Sequence, residues 1–215
     1  MDRPFRGRSR GVEVRLGEEE RELLCHLLGQ LDDLLDDGHD PAGELDPLAA
    51  MVGLDPSGMA GLGVVNGGAD GRGLDDPAIA RLLPDGSRDD PEAAAEFRRL
   101  TESGLRARKR SRARRVAKAL GDPSHPLLAP EDAVALVTSL TDLRLVLAER
   151  LELRTDEDAD LLHKQLARRL AEGVAQDAWS ATAAVYDLLT WWQESLVAAL
   201  SSRPFRRSSA FPSPP

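Results

Sequence analysis

The sequence holds one cysteine, Cys25, among 215 residues. No intramolecular disulfide can form and no cysteine-based zinc site can be built. A reducing compartment suits such a chain, so a cytoplasmic protein is expected. Aromatic residues make up only 4%. The core must therefore come from Leu, Val and Ala, a mixture that favours helices over strands. The four histidines, His26, His39, His125 and His163, form no HxxxH or HExxH pair, so no metal is expected. No apolar run approaches the ~18 residues of a membrane span. The opening MDRPFRGRSRG has no apolar stretch behind it, so a signal peptide is not expected either. An overall positive charge is also missing. At net −9 the chain is not built to coat nucleic acid, and any such contact must come from a local patch.

The elements that are present read as a mainly α, single-domain helical bundle with one short strand near its start. Residues 1–10 are expected to be a disordered arm, residues 11–201 the helical domain, and residues 202–215 a disordered Pro/Ser/Arg tail. VEVRL (12–16) alternates apolar and polar residues and reads as a strand, with residues 62–65 as its possible partner. Glu18 to Asp36 carries Leu at helical spacing. Its acidic first turn suits the helix dipole, whereas Asp32, Asp33 and Asp36 crowd the end that the dipole disfavours. That end is expected to fray or to meet a positive partner. Asp-Pro recurs six times, and the pairs at 46–47, 76–77 and 90–91 precede apolar helical runs, as an N-cap followed by a proline with preset φ. The glycine-rich stretch 58–73 lacks the Lys-Ser/Thr of a phosphate-binding loop and reads as a linker. Further helices are expected over 91–120, with Gly104 as a weak point where a kink could form, over 130–151 as the central buried helix, from Thr155 to about Gly173, and over 175–201.

LRARKRSRARRVAKAL, from Leu105 to Leu120, breaks the acidic trend. It holds Arg106, Arg108, Lys109, Arg110, Arg112, Arg114, Arg115 and Lys118 and no carboxylate. Arginine and lysine suffice for phosphate contacts. Base reading would want Asn, Gln or an ordered Arg at groove-facing positions, and only the arginines are there. The alternatives are an acidic protein partner, or a charged face that balances the acidic first helix. Lys109 falls on the apolar stripe, so its stem snorkels or its ammonium meets a carboxylate.

A second polar set comprises Arg98, Arg99, Glu102, Asp142, Arg144, Arg150 and Glu194. Asp142 and Arg144 lie in an otherwise apolar helix, where an unpartnered charge costs several kcal/mol. They are expected to join a structural ion-pair network, with Glu102 or Glu194 facing Arg144. No catalytic His or metal motif accompanies these carboxylates, so neither an enzyme nor a cofactor is expected. Trp192 should be core and Trp191 nearer the surface.

Three segments, DPAIARLLPDGSRDDPEAAAEFRRLTE (76–102), LTDLRLVLAERLEL (140–153) and YDLLTWWQESLVAAL (186–200), together with VEVRLGEEERELL (12–24), resemble an actinobacterial domain-of-unknown-function family. Some members of that family are oxidative-stress transcriptional regulators of the AosR type. The resemblance implies a cytoplasmic transcriptional regulator that acts on DNA or through a sigma factor and is tied to cysteine supply. The basic helix would be the contact, and a homodimer is a further possibility. Redox sensing through an internal disulfide needs two cysteines. With Cys25 alone, a sensor would have to use sulfenic acid, a mixed disulfide or a bridge between chains. A buried, inert Cys25 is the simpler expectation.

Overall fold

The computed structural model describes residues 3–36, 76–84, 90–122, 126–175 and 177–202. Among these are three strands, β1 (Phe5–Arg8), β2 (Gly11–Val14) and β3 (Leu127–Leu128). The helices are α1 (Glu18–Leu34), α2 (Pro77–Leu82), α3 (Pro91–Leu120), α4 (Pro130–Arg150), α5 (Asp156–Ala171) and α6 (Ala178–Ser201). The mainly α expectation stands. The glycine-rich stretch 58–73, the Asp-Pro pair at 46–47 and the tail from 203 lie outside the described residues.

The opening segment differs from its reading as a disordered arm. Residues 5–8 form β1, antiparallel to β2 with Phe5 opposite Val14. β3 pairs with the other edge of β2, so the expected partner at 62–65, also outside the described residues, is not needed for these contacts. FRGR has no clean alternation, but Phe5 is 1% exposed, and burying one large aromatic anchors a short strand. The Phe5 N–H donates to Ser195 Oγ of α6 at 3.3 Å. Gly11 is needed at the strand crossing, because a Cβ there would fall 2.1 Å from the Leu128 carbonyl oxygen.

Local signals set most helix ends. Asp76 accepts from the Ala78 N–H, and Asp90 from the N–H groups of Glu92 and Ala93, each with proline at the first helical position. Thr155 and Asp158 cap each other's backbone at the start of α5. At its end Val174 N–H reaches Arg169 O and Gly173 N–H reaches Leu170 O, with Gly173 at φ 71°. This is a Schellman turn, which requires the left-handed region. α4 ends in the same way through Leu153 to Ala148 and Glu152 to Glu149, but the left-handed position is occupied by Glu152 at φ 58°.

The main core joins α1, α2, the second half of α3, α4, α6 and the sheet around Trp192, Leu120, Leu136, Leu140 and Leu196. A smaller cluster of Leu151, Leu162, Leu166, Ala183 and Tyr186 holds α5 on α6. α4 packs against α2, α3 and α6, as expected of a central helix, though Val134 near its start is exposed. Trp192 is fully buried, and Trp191 lies nearer the surface, partly buried against the same core. No helix among the described residues is long and apolar enough to cross a membrane.

Candidate functional site

α3 carries every residue of the basic segment, and it runs unbroken through Gly104. At about 100° per residue, Ala113, Val116 and Leu120 form its inward face, and all three are fully buried. The charges on the flanks of that face meet the chain's own carboxylates. On the α1 side, Arg110 Nε donates to Asp32 at 3.0 Å, and its two terminal nitrogens grip Asp36 at 2.9 and 2.7 Å. Arg114 Nε donates to the second oxygen of Asp32 at 2.8 Å. On the α4 side, Lys109 Nζ lies 2.5 Å from Asp142 Oδ1, and Arg112 Nη1 lies 3.3 Å from Asp142 Oδ2. Arg115 Nε donates to Asp132 at 2.6 Å. Arg106, 3% exposed, is held by Glu102 one turn earlier.

Electrostatics follow this geometry. Burial works against the charged form of Arg110, but the hydrogen bonds and charges of Asp32 and Asp36 outweigh it and hold the guanidinium above its ordinary pKa. Asp32 and Asp36 at the end of α1 therefore do meet positive partners, Arg110 and Arg114, and these lie in the same chain. The basic segment is thus mostly paired within its own chain. Six of its eight cations, all but Arg108 and Lys118, engage carboxylates of this chain. Arg108 and Lys118 are exposed and have no carboxylate partner among the described residues.

The second polar set does not form one network. Asp142 pairs with a neighbouring helix as expected, through Lys109 and Arg112. Arg144 meets neither Glu102 nor Glu194. Its Nη1 donates to Gln193 Oε1 at 2.9 Å and its Nη2 to the Tyr186 hydroxyl at 3.3 Å, with the guanidinium 5.3 Å from the Tyr186 ring centre. Neutral acceptors and an aromatic face replace the expected carboxylate. Arg99 pairs with Glu96 within α3, and Arg150 reaches Asp76 at the start of α2. Arg98 and Glu194 are exposed on separate helices. An ion-pair cluster not foreseen from sequence links α2 to α4, with Glu149 accepting from both Arg81 and Arg154. Its only sequence signal is the density of opposite charges around residue 150.

Cys25 is partly buried, with Sγ 3.7 Å from the Ala117 carbonyl oxygen. Burial pushes the thiol above its ordinary pKa, against a smaller opposing pull from Arg21. The cause is desolvation rather than nearby acids. A protonated, half-covered sulfur is a poor nucleophile. Among the described residues, no group of three or more His, Cys, Asp or Glu could hold a metal ion.

The first half of α3 contrasts with all of this. Phe97 is 49% exposed and Leu100 65% exposed, far above the level of the core leucines. At the other end of the helix, a shallow hollow of about 380 Å³ is lined by Arg115, Lys118, Asp122, Leu127, Leu128 and Asp132.

Neither a curated protein nor a solved structure is similar to the chain. A protein-family model, that of a domain of unknown function, DUF2017, matches residues 2–200. It covers the hairpin and all six helices up to the last turn of α6, and the chain belongs to that family.

Proposed function

We propose that this protein is a non-enzymatic, cytoplasmic transcriptional regulator of the oxidative-stress response that works by contacting the transcription machinery, a sigma factor in particular, rather than by gripping DNA with its basic helix. The regulatory part of this reading comes from the resemblance to the actinobacterial AosR-type proteins. The choice of protein over DNA comes from one observation, the engagement of Lys109, Arg110, Arg112, Arg114 and Arg115 by Asp32, Asp36, Asp132 and Asp142. A phosphate would have to displace these carboxylates, and each displaced carboxylate would remain nearby to repel it. Cys25 does not serve as a fast thiol sensor in this reading, because burial pushes its thiol further above the usual range and half-covers the sulfur.

A mobility-shift assay with a promoter fragment, at low and at moderate salt, alongside binding of purified sigma factor and RNA polymerase, tests the reading. Sigma-factor binding without a DNA shift is expected. A salt-sensitive DNA shift that Arg112→Ala and Arg115→Ala abolish would overturn the preference for protein. A second reading, a helical adaptor unconnected to transcription, is favoured by the exposed Phe97 and Leu100. It predicts that neither polymerase nor sigma factor binds.

A further inference from the structure

The outward side of α3 has an order along its length. Counting about 100° per residue, Phe97, Leu100, Arg108, Arg114, Arg115 and Lys118 fall within one arc of roughly 120°, opposite the buried Ala113, Val116 and Leu120. The arc extends ~32 Å, about six turns, at 1.5 Å per residue. Its first third is apolar and exposed. Its remainder is cationic: Arg108 and Lys118 have no carboxylate partner among the described residues, and the side chains of Arg114 and Arg115 stay 59% and 54% exposed although each is paired. The positions 97, 100, 104, 108, 111, 115 and 118 are separated by steps of three or four that average about 3.5, the period of a seam between two helices. Gly104 lies in that seam, and a Cβ there would meet only the end of the Arg108 side chain, so a partner backbone can approach closely.

We propose that this stripe docks an acidic amphipathic helix of another protein, with the partner's apolar residues on Phe97 and Leu100 and its Asp or Glu residues along Arg108 to Lys118. The proposal deepens the protein-contact reading and rests on it. Charge complementarity selects the occupant. The uncovered charge of the stripe is positive, and carboxylates set every three or four residues along one face of a partner helix lie within reach of Arg108, Arg115 and Lys118. Duplex DNA gains nothing from Phe97 and Leu100. A bilayer surface needs apolar residues along the whole length of a helix lying in it, whereas these are confined to one end.

Fluorescence anisotropy with a labelled synthetic helix provides the test. The probe has about 24 residues, with Leu on one face of its first two turns and Glu on the same face of the remaining turns. Comparison probes are the same peptide with Gln for Glu, a duplex DNA of similar length and phosphatidylglycerol vesicles. The full-length protein is expected to bind the acidic peptide at least about tenfold more tightly than any comparison probe. The double variants Arg108→Glu/Lys118→Glu and Phe97→Ala/Leu100→Ala should each lose about tenfold or more in affinity, with unchanged thermal melting because all four side chains are exposed. Failure to bind the acidic peptide, tighter binding of DNA or vesicles, or affinity that neither double variant changes would overturn the proposal. Parallel titration with sigma factor and polymerase separates this from the broader reading. Polymerase binding that both double variants retain removes the stripe and leaves the regulator. Peptide binding without polymerase or sigma-factor binding removes the regulator and leaves the stripe.

Discussion

The two halves of α3 are one continuous helix with opposite fates. Residues 91–104 carry Phe97 and Leu100 and leave them in water, while residues 105–120 carry eight cations and bring most of them against the protein. A hydropathy reading would have reversed these placements. The difference teaches that docking depends on what lies opposite. The second half has Ala113, Val116 and Leu120 on one side and finds Asp32, Asp36, Asp132 and Asp142 on its flanks. The first half has two large apolar residues, and no described helix lies across them.

Substitutions can break this comparison. The largest effect is expected from Leu120→Ala, which opens a cavity in the main core and should cost about 2–5 kcal/mol. Leu100→Ala on the same helix should stay within about 0.5 kcal/mol. Urea unfolding of both variants checks the pair, and equal losses would mean that the first half is packed after all. Asp142→Ala should cost about 3 kcal/mol, since it leaves Lys109 and Arg112 facing a buried gap. The double variant Asp32→Asn/Asp36→Asn should cost less, and it should create salt-sensitive duplex binding absent from the wild type, because Arg110 and Arg114 are then free for phosphates. Anisotropy at two salt concentrations reads this directly.

Acid sharpens the same contrast elsewhere in the molecule. The hydrogen bond from Arg154 holds Glu149 below its ordinary pKa, against some desolvation. Asp158 is lowered by the N–H groups of Arg154 and Thr155. Both carboxyls are more acidic folded than unfolded, so their contribution is present at neutral pH and is lost as pH falls below about 4.5. The urea midpoint should drop there, and Glu149→Gln should flatten that drop. One substitution should bring a gain: Glu152→Gly removes a left-handed non-glycine and should stabilise by about 1 kcal/mol.

Elements with local causes were legible in the sequence. Asp90-Pro91 opens α3, Thr155 with Asp158 opens α5, and Gly173 closes it, because capping is decided within a few residues. Pairings between distant segments were not legible. Spacing places Lys109 on the inward face and calls for a carboxylate, and the aspartates at the end of α1 call for a cation. Neither says that α1 and α4 flank α3 at that height. Arg144 was misassigned for the same reason: a partly buried guanidinium needs acceptors, but its sequence does not say whether Glu194 or Gln193 turns inward. β1 was missed because FRGR has strand character only once Phe5 finds α6.

That last contact sets a timetable for synthesis. Phe5 is the first large side chain of the core, and its amide waits for a hydroxyl 190 positions later. At ribosomal rates of about 5–20 residues per second, the opening hairpin stays without its seat for roughly 10–40 s. Between the making of Phe5 and that of Ser195 the phenylalanine has no α6 to cover it, so the emerged hairpin is then most open to a chaperone.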